Sequence, residues 1–332
     1  MTWFQALTGF AEESPTQVRK NITLDGEKLT SLINGREMAC GTLEVSSLAE
    51  LRKRVEASSV FPNGKISLRE VVADVRSLHL DEANAGCLFQ VASQFNLLEM
   101  ISPHSIPEQG IGIYENDPTQ GPVCAIAAGA GTIYRNYFVP INGRVGQTAD
   151  NQIDCLADIG EALNNRYDRL WQMQNGYAQV SQSGLVEISK TIRAASEGQL
   201  DELQKLLRIG IQWNTQVTLG NSTHKVSQAY CSALPVAYRN YSHTLWENFA
   251  RLILEASYES TMCAAVLNYV ETGNNRVFLT LIGGGAFGNE TDWIIASMTR
   301  ALNRYRNWAL DLVIVSYGAP NLTLRQMMKQ FE

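Results

Sequence analysis

The residue pattern with the clearest chemical use is the glycine-rich run Gly283-Gly284-Gly285-Ala286-Phe287-Gly288-Asn289. It contains the spacing G-x-G-x-x-G and lies between an apolar run and a predicted helix. Glycines allow backbone N–H groups to approach an anion closely, and the start of a helix adds partial positive charge. We therefore predict that this loop binds a phosphate group. A tight strand-to-helix turn without a ligand remains the alternative, because the motif alone is weak.

The same glycine spacing occurs in dinucleotide-binding domains, so an NAD-dependent oxidoreductase is one hypothesis for the function. That fold places the motif in its first strand–helix unit and an acidic residue at the end of the next strand. Here the motif lies late in the chain, and the next predicted strand ends in Ser316-Tyr317-Gly318. Asp311 stands at the beginning of that strand. Both observations count against the dinucleotide reading.

Three carboxylates, Asp150, Asp154 and Asp158, are spaced four residues apart at a predicted helix start. Asp154 and Asp158 share one face of the predicted helix, and Asp150 precedes its first turn, so these carboxylates could orient a water molecule or stabilise developing positive charge. The alternative is structural, because Asp is a good N-cap and complements the helix dipole.

Strands and helices alternate around these residues, which predicts a three-layer α/β/α sandwich. Continuous apolar runs at residues 88–93, 277–282 and 312–317 predict buried strands. Apolar periodicity predicts helices over residues 245–270 and 291–306. The same reasoning predicts helices over residues 153–170 and 185–207 and strands at 41–45, 217–219 and 226–230.

Composition excludes several classes of protein. The net charge of −6 and pI near 5.4 argue against a nucleic-acid-binding surface. The six cysteines and four histidines show no ligand spacing, so we expect no metal and no cofactor. No apolar run approaches the ~20 residues of a membrane span. We expect a soluble, cytoplasmic protein.

The glycine loop, its flanking strand and helix, and the closing strand resemble the C-terminal half of a macrodomain, whose second ligand loop contains Gly-Gly-x-Phe-Gly. Residues 89–96, 119–122, 132–137 and 146–154 resemble poly(ADP-ribose) glycohydrolases and bacterial effector macrodomains that remove ADP-ribose from arginine. The resemblance covers residues 65–321. The usual first ligand loop, an Asn followed by glycines, is absent.

The resemblance implies a macrodomain-like sandwich with a mixed sheet over residues 66–332 and a helical N-terminal extension over residues 1–65. It implies a hydrolase that removes ADP-ribose from a protein side chain, with arginine as the linkage. A reader module that binds ADP-ribose without turnover is the second hypothesis. In the family, the catalytic acid follows a Gln at a helix start, which favours Asp154 over Asp150 and Asp158. The predicted ligand-binding residues are Gln94, Phe95, Asn96, Gln147, Thr148, Asn151, Gln152, Gly283, Gly284, Gly285, Ala286, Phe287, Gly288, Asn289 and Tyr317.

Overall fold

A computed structural model describes residues 1–58 and 64–331 of the chain, and a mixed seven-stranded sheet forms its centre. The strands are β1 (Ile22–Asp25), β2 (Lys28–Ser31), β3 (Glu37–Ala39), β4 (Thr42–Ser47), β5 (Ser67–Val72), β6 (Leu88–Ser93), β7 (Pro140–Ile141), β8 (Arg144–Val145), β9 (Trp171–Gln174), β10 (Tyr177–Val180), β11 (Arg208–Gln216), β12 (Lys225–Ser232), β13 (Arg276–Leu279) and β14 (Asp311–Ser316).

The central sheet has the strand order β4-β11-β12-β6-β13-β14-β5. The five strands from β12 to β5 are parallel, whereas β11 runs antiparallel to both of its neighbours. The central strands β6, β12, β13 and β14 are almost entirely buried, because helices cover both faces of the sheet.

Two layers of helices enclose this sheet, so the predicted three-layer α/β/α class is confirmed. Helices α3, α8, α9, α10 and α11 pack together on one face, and α4, α5 and α6 pack on the other. The helices are α1 (Trp3–Thr8), α2 (Pro15–Asn21), α3 (Leu48–Ala57), α4 (Val75–Leu80), α5 (Gln120–Ala127), α6 (Gly129–Tyr137), α7 (Ala157–Ala162), α8 (Gln182–Ala194), α9 (Glu197–Lys205), α10 (His243–Thr272), α11 (Thr291–Arg304) and α12 (Leu322–Met328).

The longest described helix, α10, lies in the middle of one layer, and its residues from Ala256 to Val266 are all buried. It ends at Gly273, whose φ of 74° is left-handed and whose N–H donates to the carbonyl of Tyr269. No helix within residues 1–58 and 64–331 is both long enough and apolar enough to cross a bilayer.

The N-terminal residues form helices α1 and α2 and a small sheet of β1, β2 and β3. The next strand, β4, is already an edge strand of the central sheet. A capping box between Ser47 and Glu50 then starts α3 directly after that strand. The central layers therefore include residues before position 66.

The structure confirms the predicted strands at residues 88–93 and 312–317 and the predicted helix at residues 245–270. The prediction of a long helix over residues 153–170 was wrong. Within the described residues there, only α7 is α-helical, and it gives way to a short 3₁₀ turn at Arg166–Asp168 and to the left-handed residues Asn164, Tyr167 and Asp168. The side chain of Asn165 bonds to the backbone of Leu170 and Trp171, which replaces the helical pattern. The spacing of apolar residues does not predict such a turn, because the turn depends on the polar side chain of Asn165.

A buried histidine predicts how stability depends on pH. His79 stacks on Phe89 at 3.8 Å and accepts a hydrogen bond from Gln228, while its Nδ1 faces the carbonyl of Val75. Burial lowers the pKa of His79 to about 4. His79 therefore binds a proton near pH 6.5 in the unfolded chain but only near pH 4 in the folded chain. The free energy of unfolding falls as the pH drops from 6.5 to 4, because only the unfolded chain gains this proton there.

We expect this single group to remove about 2.5 kcal/mol of unfolding free energy between pH 7.5 and pH 4.5. Urea unfolding of the wild-type chain and of His79→Leu at both pH values measures the difference. The variant should be less stable at pH 7.5 yet lose less on acidification. An identical pH dependence in both chains would contradict the prediction.

Candidate active site

A cleft opens at the carboxyl ends of β6, β12 and β13, where the central sheet splits. Strand β13 pairs with β6 only through Val277 and Phe278, so the later backbone of β6 has no neighbouring strand on that side among the described residues. The side chain of Gln120 replaces the missing strand as hydrogen-bond partner of β6. It donates to the carbonyl of Gln90 at 2.9 Å and accepts from the N–H of Ala92 at 2.9 Å. Ligand sites of parallel α/β sheets occur where strands separate in this way.

The cleft encloses about 210 Å³ and is lined by five segments of the chain. These are the end of β6 with the loop that follows it, the start of α5 with the residues before it, Tyr177 of β10, the segment after β12 with Ala233 and Tyr238, and the glycine loop. None of the lining residues is a lysine, arginine or histidine. Within the described ranges, no group of three His, Cys, Asp or Glu side chains is arranged to hold a metal ion.

The glycine loop forms a compact turn with free backbone donors. Gly283 and Gly288 have φ values of 74° and 68°, and Asn289 closes the turn through its N–H to the carbonyl of Gly283 at 2.9 Å. The N–H groups of Gly285, Ala286 and Phe287 have no partner within the described part of the chain, and all three residues line the cleft. Successive free N–H groups of this kind bind anions.

The first turn of α5 adds further backbone donors to the lining. Gln120 and Gly121 stand at the helix start, where N–H groups have no partner within the helix. A Cβ on Gly121 would lie 2.0 Å from the carbonyl oxygen of Ala92, so only glycine allows the helix to approach β6 this closely. The cleft lining therefore contains two sets of backbone N–H groups.

Glu99 is the most unusual side chain of the cleft. It is 3% exposed, and its Oε1 has no hydrogen-bond partner among the described residues. Burial raises the pKa of Glu99 well above its usual value, and the negative charge of Asp117 adds to that shift. A carboxyl group in such surroundings retains its proton and can act as a general acid.

The loop that carries Glu99 is held from two sides. The amide of Gln94 donates to the carbonyl of Met100 at 2.7 Å and accepts from its N–H at 3.0 Å, while Leu97 takes a left-handed φ of 64°. The N–H of Glu99 donates to the hydroxyl of Tyr114 at 3.0 Å. These bonds fix the position of the carboxyl group.

Asp117 provides a second carboxylate and reaches the cleft just before α5 begins. Its Oδ1 accepts from the N–H of Thr119 at 2.9 Å, the short-range bond of a turn-forming Asp. The same side chain lines the cleft and lies near enough to Glu99 to raise its pKa. A turn-forming role and a chemical role are therefore compatible in this residue.

Three aromatic rings meet at one side of the cleft. The ring of Tyr177 lies 5.4 Å from those of Tyr238 and Phe287, and the latter two are 5.8 Å apart. Tyr238 is 37% exposed, so this cluster presents an accessible aromatic surface to a ligand.

Part of the predicted ligand set lines the cleft, and the rest surrounds it. Gln94, Gly283, Gly285, Ala286 and Phe287 are lining residues. The other predicted ligand residues are outside the lining: Phe95, Asn96, Gln147, Thr148, Asn151, Gln152, Gly284, Gly288, Asn289 and Tyr317.

Several of the residues outside the lining tie the surrounding loops together. Asn96 donates to Gln152, which donates to Asn175. Gln147 donates to the carbonyls of Asn96 and Arg135. Phe95 is buried in the core, whereas Tyr317 is 86% exposed after the last strand.

The three predicted catalytic aspartates do not line the cleft. Asp150 is exposed and pairs with Arg144 at 3.0 Å, while Asp158 pairs with Arg208 at 2.7 Å. Hydrogen bonds from Thr148 and Arg144 lower the pKa of Asp150. Asp154 bonds to the N–H of Leu156 at 2.9 Å, and burial raises its pKa. Each has a partner that explains it structurally.

The dinucleotide hypothesis also meets a geometric obstacle. Asp311 pairs with Arg276 at 2.9 Å at the start of β14, the end of the sheet opposite the cleft. Sequence reasoning missed Glu99, Tyr177 and Tyr238 as lining residues. The signal for Glu99 was a lone charge within the apolar run Leu97-Leu98-Glu99-Met100-Ile101.

Comparison with known proteins gives structural neighbours only. No protein-family model and no curated protein sequence matches the chain. Poly(ADP-ribose) glycohydrolase from Deinococcus radiodurans in complex with ADP-ribose is 9% identical with a TM-score of 0.46, covering 87% of this chain and 93% of that one. The glycohydrolase from Thermomonospora curvata is 12% identical with a TM-score of 0.46, covering 96% and 97%.

Proposed function

We propose that this protein is an ADP-ribosyl hydrolase that binds ADP-ribose in the cleft and cleaves its bond to a protein side chain. One observation carries the proposal: a single cleft combines free backbone N–H groups with two carboxyl groups, Glu99 and Asp117. The donors suit a diphosphate, and the carboxyl pair suits glycosidic hydrolysis. The resemblance of the glycine loop to that of macrodomains supports the same ligand.

Binding rests on backbone groups and aromatic rings. The diphosphate would accept hydrogen bonds from Gly285, Ala286 and Phe287 and from the first turn of α5. The cluster of Tyr177, Tyr238 and Phe287 would pack against a ribose or a base. Because the enclosed volume of about 210 Å³ is smaller than usual ligand pockets, part of the ligand would extend beyond it.

The chemistry divides between the two carboxyl groups. The bond from the anomeric carbon to the linked side chain breaks, and the departing atom takes the proton of Glu99. A water molecule forms the new carbon–oxygen bond and loses its proton to Asp117. Burial favours the protonated form of Glu99, whereas Asp117 is more accessible. Proton exchange with solvent then restores both groups.

We propose arginine as the linked residue. The lining contains the carboxylate of Asp117, the protonated carboxyl group of Glu99 and no cationic side chain, which favours a guanidinium group over a neutral or acidic one. After cleavage, the departing guanidine takes the proton of Glu99 and leaves as guanidinium. An ester-linked substrate gains no such charge complementarity.

The test is release of free ADP-ribose from proteins modified on arginine, glutamate or serine. We expect release from the arginine-linked protein, and calorimetry should show tighter binding of ADP-ribose than of AMP. Binding without release from any of the three substrates would indicate a reader module. Tight binding of NAD without binding of ADP-ribose would overturn the proposal.

A further inference from the structure

The N-terminal residues share a second apolar core with the loop that leads into α5. Phe4, Leu7, Phe10 and Val18 pack in one cluster with Ile111, Tyr114, Ile133 and Tyr137, separate from the core around the central sheet. The N-terminal residues therefore lie against the segment at residues 111–115, which leads to the cleft carboxylate Asp117. The contact is built from specific hydrogen bonds as well as from apolar packing.

Glu12 makes the most concentrated set of these bonds. Its Oε1 accepts from the N–H of Ile111 at 3.0 Å, and its Oε2 accepts from the N–H of Gly112 at 2.6 Å. The hydroxyl of Tyr137 donates to Oε1 as well. Three donors thus converge on one carboxylate group, and each charge-assisted bond is stronger than a neutral one.

The loop is shaped to receive this carboxylate. A Cβ on Gly110 would lie 2.5 Å from Oε2 of Glu12, and a Cβ on Gly112 would lie 2.9 Å from the same atom. Gly110 also has a φ of 88°. Trp3 adds two further bonds, from its N–H to Glu115 and from its indole to the carbonyl of Ile111, both at 3.0 Å.

The held segment leads directly to both cleft carboxyl groups. Ile111 and Gly112 begin the short 3₁₀ helix Gly112–Asn116. That helix contains Tyr114, whose hydroxyl accepts from the N–H of Glu99 at 3.0 Å, and Asp117 follows it immediately. A displacement at Gly112 would therefore move the anchors of Glu99 and Asp117 together.

We propose that Glu12 is a positioning residue that holds the two cleft carboxyl groups in their relative geometry, an inference that rests on the proposed hydrolase activity. Glu12 touches neither of them, because it acts through the backbone of residues 111–117. The N-terminal segment is then an integral part of the active site's support. A misplacement of about 1 Å in such a support can cost on the order of 100-fold in rate.

The test uses Glu12→Ala and Glu12→Gln in the full chain, with Glu13→Ala as the matched control on an exposed neighbour. We expect Glu12→Ala to lower kcat on arginine-linked substrate at least tenfold, counted per ADP-ribose-binding molecule, with KM within twofold. Glu12→Gln should keep a higher rate than Glu12→Ala, because its amide oxygen can still accept from the N–H of Ile111. Its rate should stay below that of the wild-type chain, because its NH₂ group faces the N–H of Gly112 and two donors cannot form a hydrogen bond. Glu13→Ala should match the wild-type chain.

Hydrogen exchange separates this inference from the proposed function. In Glu12→Ala, the amides of Ile111, Gly112 and Glu99 should exchange faster, whereas Glu13→Ala should leave them unchanged. A wild-type chain that releases no ADP-ribose would refute the hydrolase, and the exchange result would still decide whether Glu12 holds the loop. Unchanged kcat in Glu12→Ala of an active enzyme, or unchanged exchange at Glu99, would overturn the positioning role.

Discussion

Replacing Glu99 with Gln should lower the turnover of ADP-ribosylated protein by about 10²–10⁴-fold, the usual contribution of a general acid, while ADP-ribose still binds. The amide has almost the same shape as the protonated carboxyl group but cannot give up its proton to the leaving atom. Single-turnover release of ADP-ribose measures the rate, and calorimetry measures the retained affinity. Glu161→Gln, an exposed substitution on α7, serves as the control.

The stability of Glu99→Gln provides an independent check. Burial raises the pKa of Glu99 in the folded chain, so the unfolded chain releases this proton at lower pH than the folded chain does. Stability therefore falls as the pH rises above the unfolded pKa, and the variant removes that loss. We expect the variant to match the wild-type chain near pH 4 and to exceed its unfolding free energy at pH 7.

A parallel substitution, Asp154→Asn, distinguishes the cleft from the helix-start carboxylates. Asp154 carries a raised pKa but does not line the cleft. If Glu99→Gln kept full activity while Asp154→Asn lost it, the assignment of the acid to the cleft would fail. Loss in Glu99→Gln with activity retained in Asp154→Asn would establish it.

A negative charge in the glycine loop should expel the ligand. Gly285 has no atom of residues 1–58 and 64–331 within 4 Å of an added Cβ, and it is not among the left-handed glycines of the loop. We expect Gly285→Asp to weaken ADP-ribose binding about 100-fold, because a charge about 4 Å from a diphosphate costs 1–4 kcal/mol at effective dielectric constants of 80 to 20. Calorimetry with ADP-ribose measures the effect.

The neutral isostere Gly285→Asn separates charge from bulk. It should weaken binding no more than tenfold, since its side chain has the same size and can donate to a phosphate oxygen. Raising the salt concentration should recover part of the affinity of Gly285→Asp but not alter that of Gly285→Asn. Equal losses in both variants would show that bulk alone acts and would contradict a diphosphate at this loop.

The sequence by itself determined the layered class and the position of the glycine loop. Continuous apolar strands and long amphipathic helices are local patterns, and the structure keeps β6, α10 and β14 close to where those patterns placed them. The glycine loop was equally readable, because its backbone freedom depends on residue type alone. Both features come from interactions within one stretch of chain.

Only the tertiary structure decided which carboxyl groups share the cleft. The spacing in the sequence singled out Asp150, Asp154 and Asp158. In the structure these aspartates lie outside the cleft lining, where Asp150 and Asp158 form ion pairs and Asp154 forms a turn hydrogen bond. Glu99 and Asp117 come from separate loops, and they meet because β13 diverges from β6 and a glycine allows α5 to approach. Burial and proximity raise the pKa of Glu99, and neither property is encoded by neighbouring residues.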